Sequence, residues 1–142
     1  MRVYADSSFL ISLYVADVHS IEAENRLKDG PQLILTPFHL AEWAHAIGQH
    51  RFRGVLSAEG AARLNTQFAS DRTGGLLREA ALPERAFELC AELARRHGSQ
   101  IGMRTLDTLH VACALELKAE QFWTFDERQK KLAKVQGLKT SS

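Results

Sequence analysis

Short apolar runs alternate along this chain with longer segments in which apolar residues return every three or four positions. These are the signatures of buried strands and amphipathic helices. Val3-Tyr4-Ala5 is a β-type run that stops at Asp6. Ser7-Ser8 then open Phe9-Leu10-Ile11-Ser12-Leu13-Tyr14, which reads as a helix capped by Asp6 or Ser7. A polar helix is predicted from His19 to Lys28, closed by Asp29-Gly30-Pro31. Leu33 to Thr36 reads as a buried strand bounded by Pro37. Leu40, Trp43, Ala44 and Ile47 then fall at i, i+3, i+4 and i+7, the apolar stripe of a helix. Helix resumes from Ser57 to Ala69.

Gly74-Gly75 breaks this run, and Leu76 to Ala80 follows as a short strand. Pro83 suits the first turn of the next helix, whose inward face is expected to carry Phe87, Cys90, Ala91 and Ala94 and which should close at His97-Gly98. Thr105 is the expected cap of a helix running to about Leu117, with Leu106, Leu109, Ala112, Cys113 and Leu117 inward. Phe122 to Phe125 is the clearest strand and ends at Asp126. A basic helix follows from Glu127 to Val135, and Leu138-Lys139-Thr140 reads as a final edge strand. Strands alternating with helices predict an α/β fold, a mostly parallel sheet with helices on its faces. No repeat, low-complexity tract or linker divides the chain, so a single domain over residues 1–142 is expected.

A chain of 142 residues is long enough to bury a core without disulfide or metal staples. Its 18 Lys and Arg nearly balance its 17 Asp and Glu, leaving a formal net charge of +1. No global positive field is therefore available to attract phosphates, and any nucleic acid would have to be held by a local patch or a metal. Cys90 and Cys113 form no CxxC pair and read as small buried hydrophobes in a reducing compartment. The charge-free stretch from Ser7 to Ala16 is far too short to span a bilayer and follows no basic leader. A cytoplasmic protein with no membrane association is expected.

In parallel α/β sheets, ligands bind beyond the carboxyl ends of the strands. Asp6 and Asp126 both follow strands at that address, and Asp107 lies in the first turn of its own helix, where the helix dipole favours a carboxylate. Each of these alone serves equally well as a helix cap. Two strand-Asp-helix units in one sheet are more informative, because a common sheet edge brings their charges together, and like charges are costly unless a cation neutralises them. Oxygen ligands without cysteine suit Mg²⁺ or Mn²⁺ rather than zinc. Glu42 lies away from the apolar stripe of its helix, where a surface glutamate would also lie. His110, one turn after Asp107, reads as a hydrogen-bonded, half-buried residue.

Glu42-Trp-Ala-His45 has the ExxH spacing of di-iron helical bundles, but no second ExxH is present and the strands contradict a bundle. A receiver domain would also gather acids at strand ends. It needs adjacent acids after its first strand, which Asp6-Ser7-Ser8 does not supply.

Val-Tyr-Ala-Asp6-Ser7-Ser8, Ala41-Glu42-Trp43, Thr105-Leu-Asp107-Thr-Leu-His-Val-Ala and Trp123-Thr124-Phe125-Asp126 together resemble, in order, the four motifs of PIN-domain ribonucleases. Small single-domain members of that family are typically VapC-type toxins of toxin–antitoxin pairs. The resemblance implies a three-layer sandwich with strand order 3-2-1-4-5 and an acidic cleft that binds Mg²⁺ or Mn²⁺ and cuts RNA. Asp6, Glu42, Asp107 and Asp126 match the acidic quartet, with Asp6, Asp107 and Asp126 as metal ligands and Glu42 orienting the water or a second ion. Ser7 and Thr124 match polar positions that line the site. Products would carry 5′-phosphate and 3′-hydroxyl ends. Arg51, Arg53, Arg104, Lys130 and Lys131 are candidates for holding substrate phosphates, and serve equally well as a solvated face. The resemblance further implies a small VapB-like antitoxin and a homodimer, for which Phe9 to Tyr14, Phe52 and Val55 are candidates if they prove exposed. The alternative is a PIN-fold module that binds RNA or protein without cutting.

Overall fold

A computed structural model describes residues 1–140, so the last two residues of the domain expected over 1–142 lie outside the described part. Four short strands, β1 (Arg2–Ala5), β2 (Gln32–Leu35), β3 (Leu77–Glu79) and β4 (Gln121–Trp123), form one sheet in the order β3-β2-β1-β4. Every pairing is parallel, with Val3 opposite Leu33, Leu33 opposite Leu77, and Ala5 opposite Trp123. Seven helices connect and cover them: α1 (Ser7–Ser12), α2 (Ser20–Leu27), α3 (Pro37–Phe52), α4 (Ala58–Thr73), α5 (Ala86–Ile101), α6 (Thr105–Glu116) and α7 (Glu127–Val135).

The period of two in the strands sorts the core into two layers. Val3, Ala5, Leu33, Leu35 and Trp123 point to one face and pack with Phe9, Trp43, Ile47 and Phe68 of α1, α3 and α4. Tyr4, Ile34 and Phe122 point to the other, against Cys90 and Leu93 of α5, Leu109 to Ala114 of α6, and Leu132 of α7. Both sheet faces are buried, which is why the strands read as unbroken apolar runs. Cys90 and Cys113 are free and buried. Among the described residues, no helix is long and apolar enough to cross a membrane.

Several expectations need correction. The fifth strand is reduced to one bridge, Gln121 to Lys139, with the Phe122 N–H donating to the Lys139 carbonyl at 2.8 Å. Gly137 turns the chain at φ +87° and the Leu138 N–H returns to the Ala133 carbonyl, so this segment stays tied to the end of α7. The inward face of α5 is Ala86, Cys90 and Leu93, while Phe87, Ala91 and Ala94 are exposed. Small Ala86 hides in the core and large Phe87 does not, which rotates the face relative to side-chain size. The helix also runs through Gly98 and ends at Gly102, whose φ of +70° makes the left-handed stop.

In α6, Thr108 to Ala114 are buried on all sides, so no stripe marks its inner face, and Leu106 is exposed. Arg104, not Thr105, stands at its N-cap and makes no side-chain cap bond. In α3, Trp43 and Ile47 are buried but Ala44 is exposed. Phe9 and Leu10 belong to the core, leaving Phe52 (93% exposed) and Val55 as the surface apolar residues of the set proposed for dimer contact.

Candidate active site

Asp6 stands one residue beyond β1, and its N–H donates to the Trp123 carbonyl at the end of β4. The neighbouring strands β1 and β4 thus deliver Asp6 and Thr124 side by side at their carboxyl ends. Asp6 Oδ1 caps α1 by accepting from the Phe9 N–H at 2.8 Å, and Oδ2 accepts from the Thr124 hydroxyl at 3.1 Å. The residue is only 5% exposed. Burial pushes its carboxyl up to about 6, against the pull of the Phe9 bond, of His110 and of Thr124, and the charge of Asp107 adds to the rise. Asp6 is therefore both a cap and a destabilised carboxylate that answers electrically to Asp107.

Glu42 projects from the first half of α3. Thr36 caps that helix, and the His39 ring closes a capping box by accepting from the Thr36 N–H at 3.0 Å. The opposite nitrogen of His39 lies 2.8 Å from the Ala5 carbonyl, which ties the start of α3 to the end of β1. Burial and the neighbouring His110 press His39 down to about 3, so the ring stays neutral. Glu42 Oε1 lies 2.5 Å from His110 Nε2, and the Ser7 hydroxyl sits 3.2 Å from the same nitrogen. Burial alone would raise the Glu42 carboxyl. Hydrogen bonds from His110 and Ser7 outweigh it and hold the group below its ordinary value, hence ionised.

Asp107 and Asp126 line a cleft of about 380 Å³ with Gly102, Met103, Arg104 and Arg128. Arg104 Nε is 3.5 Å from Asp107 Oδ2. Asp126 caps α7 through the Gln129 N–H at 2.9 Å, and its own N–H donates to the Thr124 hydroxyl oxygen at 3.0 Å. Gln129 is fully buried. Its Oε1 lies 2.6 Å from the Thr124 hydroxyl, and its Nε2 donates to the Asp107 carbonyl at 3.0 Å. One side chain thus joins the end of β4, the first turn of α6 and the first turn of α7.

Of the residues singled out from sequence, Asp6, Ser7, Thr124, Glu42, Asp107 and Asp126 fall into this connected region, and Arg104 stands on its rim. Arg51 and Arg53 do not: they occupy the far end of α3, where Arg51 donates to the Leu56 carbonyl and Arg53 to Gln49. At 1.5 Å per residue they are roughly 14–17 Å along the helix from Glu42. Lys130 pairs with Glu127 at 3.4 Å, and Lys131 is exposed on α7. Sequence reasoning missed Arg128, which lines the cleft, and Gln129. A signal for Gln129 existed, since Asp126-x-x-Gln129 has the spacing of a capping box.

Carboxylate oxygens are hard donors, and they fit Mg²⁺ or Mn²⁺. Among the described residues, no three of the His, Cys, Asp and Glu side chains stand close enough to share one ion. A cation here would be held by one or two carboxylates and would keep several waters, which is the usual habit of Mg²⁺. The rise in the Asp6 carboxyl and its coupling to Asp107 are what such an ion would relieve.

A search of curated proteins finds no match. Three solved structures share the fold. VapBC2 from Rickettsia felis, bound to a DNA fragment from its promoter, superposes with a TM-score of 0.68 at 16% identity, covering 99% of this chain and 98% of that one. The sarcin-ricin loop cleaving toxin VapC20 of Mycobacterium tuberculosis gives 0.66 at 18% identity, covering 96% of each chain. FitAcB from Neisseria gonorrhoeae gives 0.70 at 13% identity, covering 99% and 96%. A family model described as the PIN domain matches residues 3–135. That match runs from within β1 to the last residue of α7, takes in every strand and helix of the fold, and makes this chain a member of the PIN domain family.

Proposed function

We propose that this protein is a Mg²⁺- or Mn²⁺-dependent endoribonuclease, acting in the cytoplasm as the toxin of a toxin–antitoxin pair. The observation that carries the reading is Asp6: a buried carboxylate just beyond the carboxyl end of β1, beside β4, raised to about 6 by burial, with the charge of Asp107 adding to the rise. A fold maintains such a charge at a cost unless a cation uses it. Membership of the PIN domain family supports hydrolysis of nucleic acid, and the likeness to a toxin that cleaves the sarcin-ricin loop supports RNA.

A metal held by these carboxylates would supply an activated water and an offset to the charge that builds up at phosphorus. The chain supplies the rest. Asp6 and Asp107 would present the direct carboxylate ligands, and Asp126 shares the cleft with Arg104 and Arg128, which could meet a phosphate of the strand. Glu42, held ionised, accepts a hydrogen from the attacking water and so orients its lone pair. Thr124 keeps the Asp6 carboxylate turned into the site. An acidic cleft of this kind also suits inhibition by an Arg or Lys from a small partner, as the VapBC2 and FitAcB likenesses support. A homodimer would use the exposed Phe52 and Val55.

The absence of a three-ligand cluster among the described residues favours the second reading, a PIN-fold module that binds without cutting. Incubating the purified chain with structured RNA and millimolar Mg²⁺ or Mn²⁺ separates the two. Cleavage is expected, with 5′-phosphate products and a loss of more than about 100-fold in Asp107→Asn. RNA that is bound but left intact by the wild type would establish the module instead.

A further inference from the structure

We infer that His110 is a positioning residue that fixes the Glu42 carboxylate beside Ser7, and that Tyr4, reaching from inside the sheet, aims His110. The purpose of that orientation rests on the nuclease reading above. Four observations support the relay. His110 Nδ1 lies 2.7 Å from the Tyr4 hydroxyl and Nε2 lies 2.5 Å from Glu42 Oε1, so both ring nitrogens are engaged. The ring is stacked on Phe38 at 4.0 Å and 15°, and Phe38 is one turn before Glu42 on the same face of α3. His110 is 3% exposed, whereas the Glu42 side chain is 28% exposed. The Ser7 hydroxyl closes the arrangement at 3.2 Å from Nε2.

The direction of the bonds follows from the groups. An ionised carboxylate only accepts, so Nε2 carries the hydrogen and donates to Glu42. Nδ1 then offers its lone pair to the Tyr4 hydroxyl, which donates. Both nitrogens face protein groups, which suits this ring to orienting Glu42. A glutamate on a helix surface samples several rotamers. Here one oxygen is fixed to a ring that is itself fixed to the core. Core packing around Tyr4 is thereby transmitted to Glu42, the acid of the quartet that stands beyond the first turn of its helix.

The test is a set of variants assayed on RNA with Mn²⁺, together with nitrogen NMR of the imidazole. Tyr4→Phe is expected to lower kcat about 3- to 10-fold with KM unchanged, and His110→Leu about 10- to 100-fold. His110→Gln, whose amide donates from nearly the Nε2 position, should recover part of the loss. That variant also answers for His110→Leu should the latter fail to fold. If His110 acts through Glu42, His110→Gln combined with Glu42→Gln is no slower than Glu42→Gln alone. Multiplying losses would overturn the role. NMR should place the hydrogen on Nε2, with that signal moved by Glu42→Gln and the Nδ1 signal moved by Tyr4→Phe. A hydrogen on Nδ1, or no response to either variant, overturns the relay whatever the activity. A wild type that cuts no RNA removes the nuclease reading, and the NMR then decides the orientation by itself.

Discussion

Two buried titratable residues at the site oppose each other in pH. Asp6 rises to about 6 in the fold from 3.8, because burial disfavours its charge. Its contribution is therefore fully present below pH 3.8 and is lost as pH rises through 6, by an amount of about 3 kcal/mol. Asn caps a helix as well as Asp does. Asp6→Asn should accordingly match wild type near pH 4 and exceed it by about 2–3 kcal/mol at pH 7.5, in urea unfolding without metal. Equal stability differences at both pH values would mean that the Asp6 charge is not strained. His39 has the opposite sign. Its folded value of about 3 lies below 6.5, so its contribution is present above pH 6.5 and is lost on acidification. His39→Phe leaves the Thr36 N–H and Ala5 carbonyl unpaired and should cost about 2–4 kcal/mol at pH 7.5. That gap should narrow towards pH 5, since only the wild type has an imidazole to charge. A constant gap would refute the assignment of a neutral His39.

Among the elements, α7 shows how little of a site lies in its acids alone. Its basic outer face is plain in the sequence, yet the residue that organises the cleft is the buried Gln129. Gln129→Leu fills similar space but removes the side-chain donor to the Asp107 carbonyl and leaves the Thr124 hydroxyl with one partner fewer. A loss of about 2–3 kcal/mol by chemical denaturation is expected, together with reduced RNA cleavage, because the first turn of α6 is no longer held against α7. Unchanged cleavage in a destabilised variant would confine Gln129 to folding. Helices on the sheet's second face were the hardest to read. The all-round apolar α6 has no stripe, and α5 buries alanine where phenylalanine was expected.

For the whole molecule, the central question is whether the carboxylates at this end of the sheet behave as a metal site or as separate caps. Without metal, Asp107→Asn should leave the melting temperature unchanged or raise it, since it removes a charge that opposes Asp6. Mn²⁺ at ten times its dissociation constant should stabilise the wild type by about 1.4 kcal/mol, and the variant much less. In a domain of this size that is a shift of roughly 2–5 °C. A destabilised Asp107→Asn, with no response to Mn²⁺ in either protein, would leave Asp107 as an ordinary acid in the first turn of α6.

Local chemistry was enough for the alternation of strands and helices, the parallel sheet, the Asp6 and Asp126 caps, and the four motifs, because each depends on residues a few positions apart. The place of Asp6 and Asp126 beyond strand ends was legible for the same reason. Only the tertiary structure decided which groups touch. Tyr4 and Glu42 lie 106 and 68 positions from His110, and no periodicity relates them. The sheet order sets them in contact, and burial then changes their chemistry, raising Asp6 while His110 and Ser7 keep Glu42 charged. It also reduced the fifth strand to a single bridge, because Lys139 pairs with Gln121 only as far as the end of α7 lets it reach.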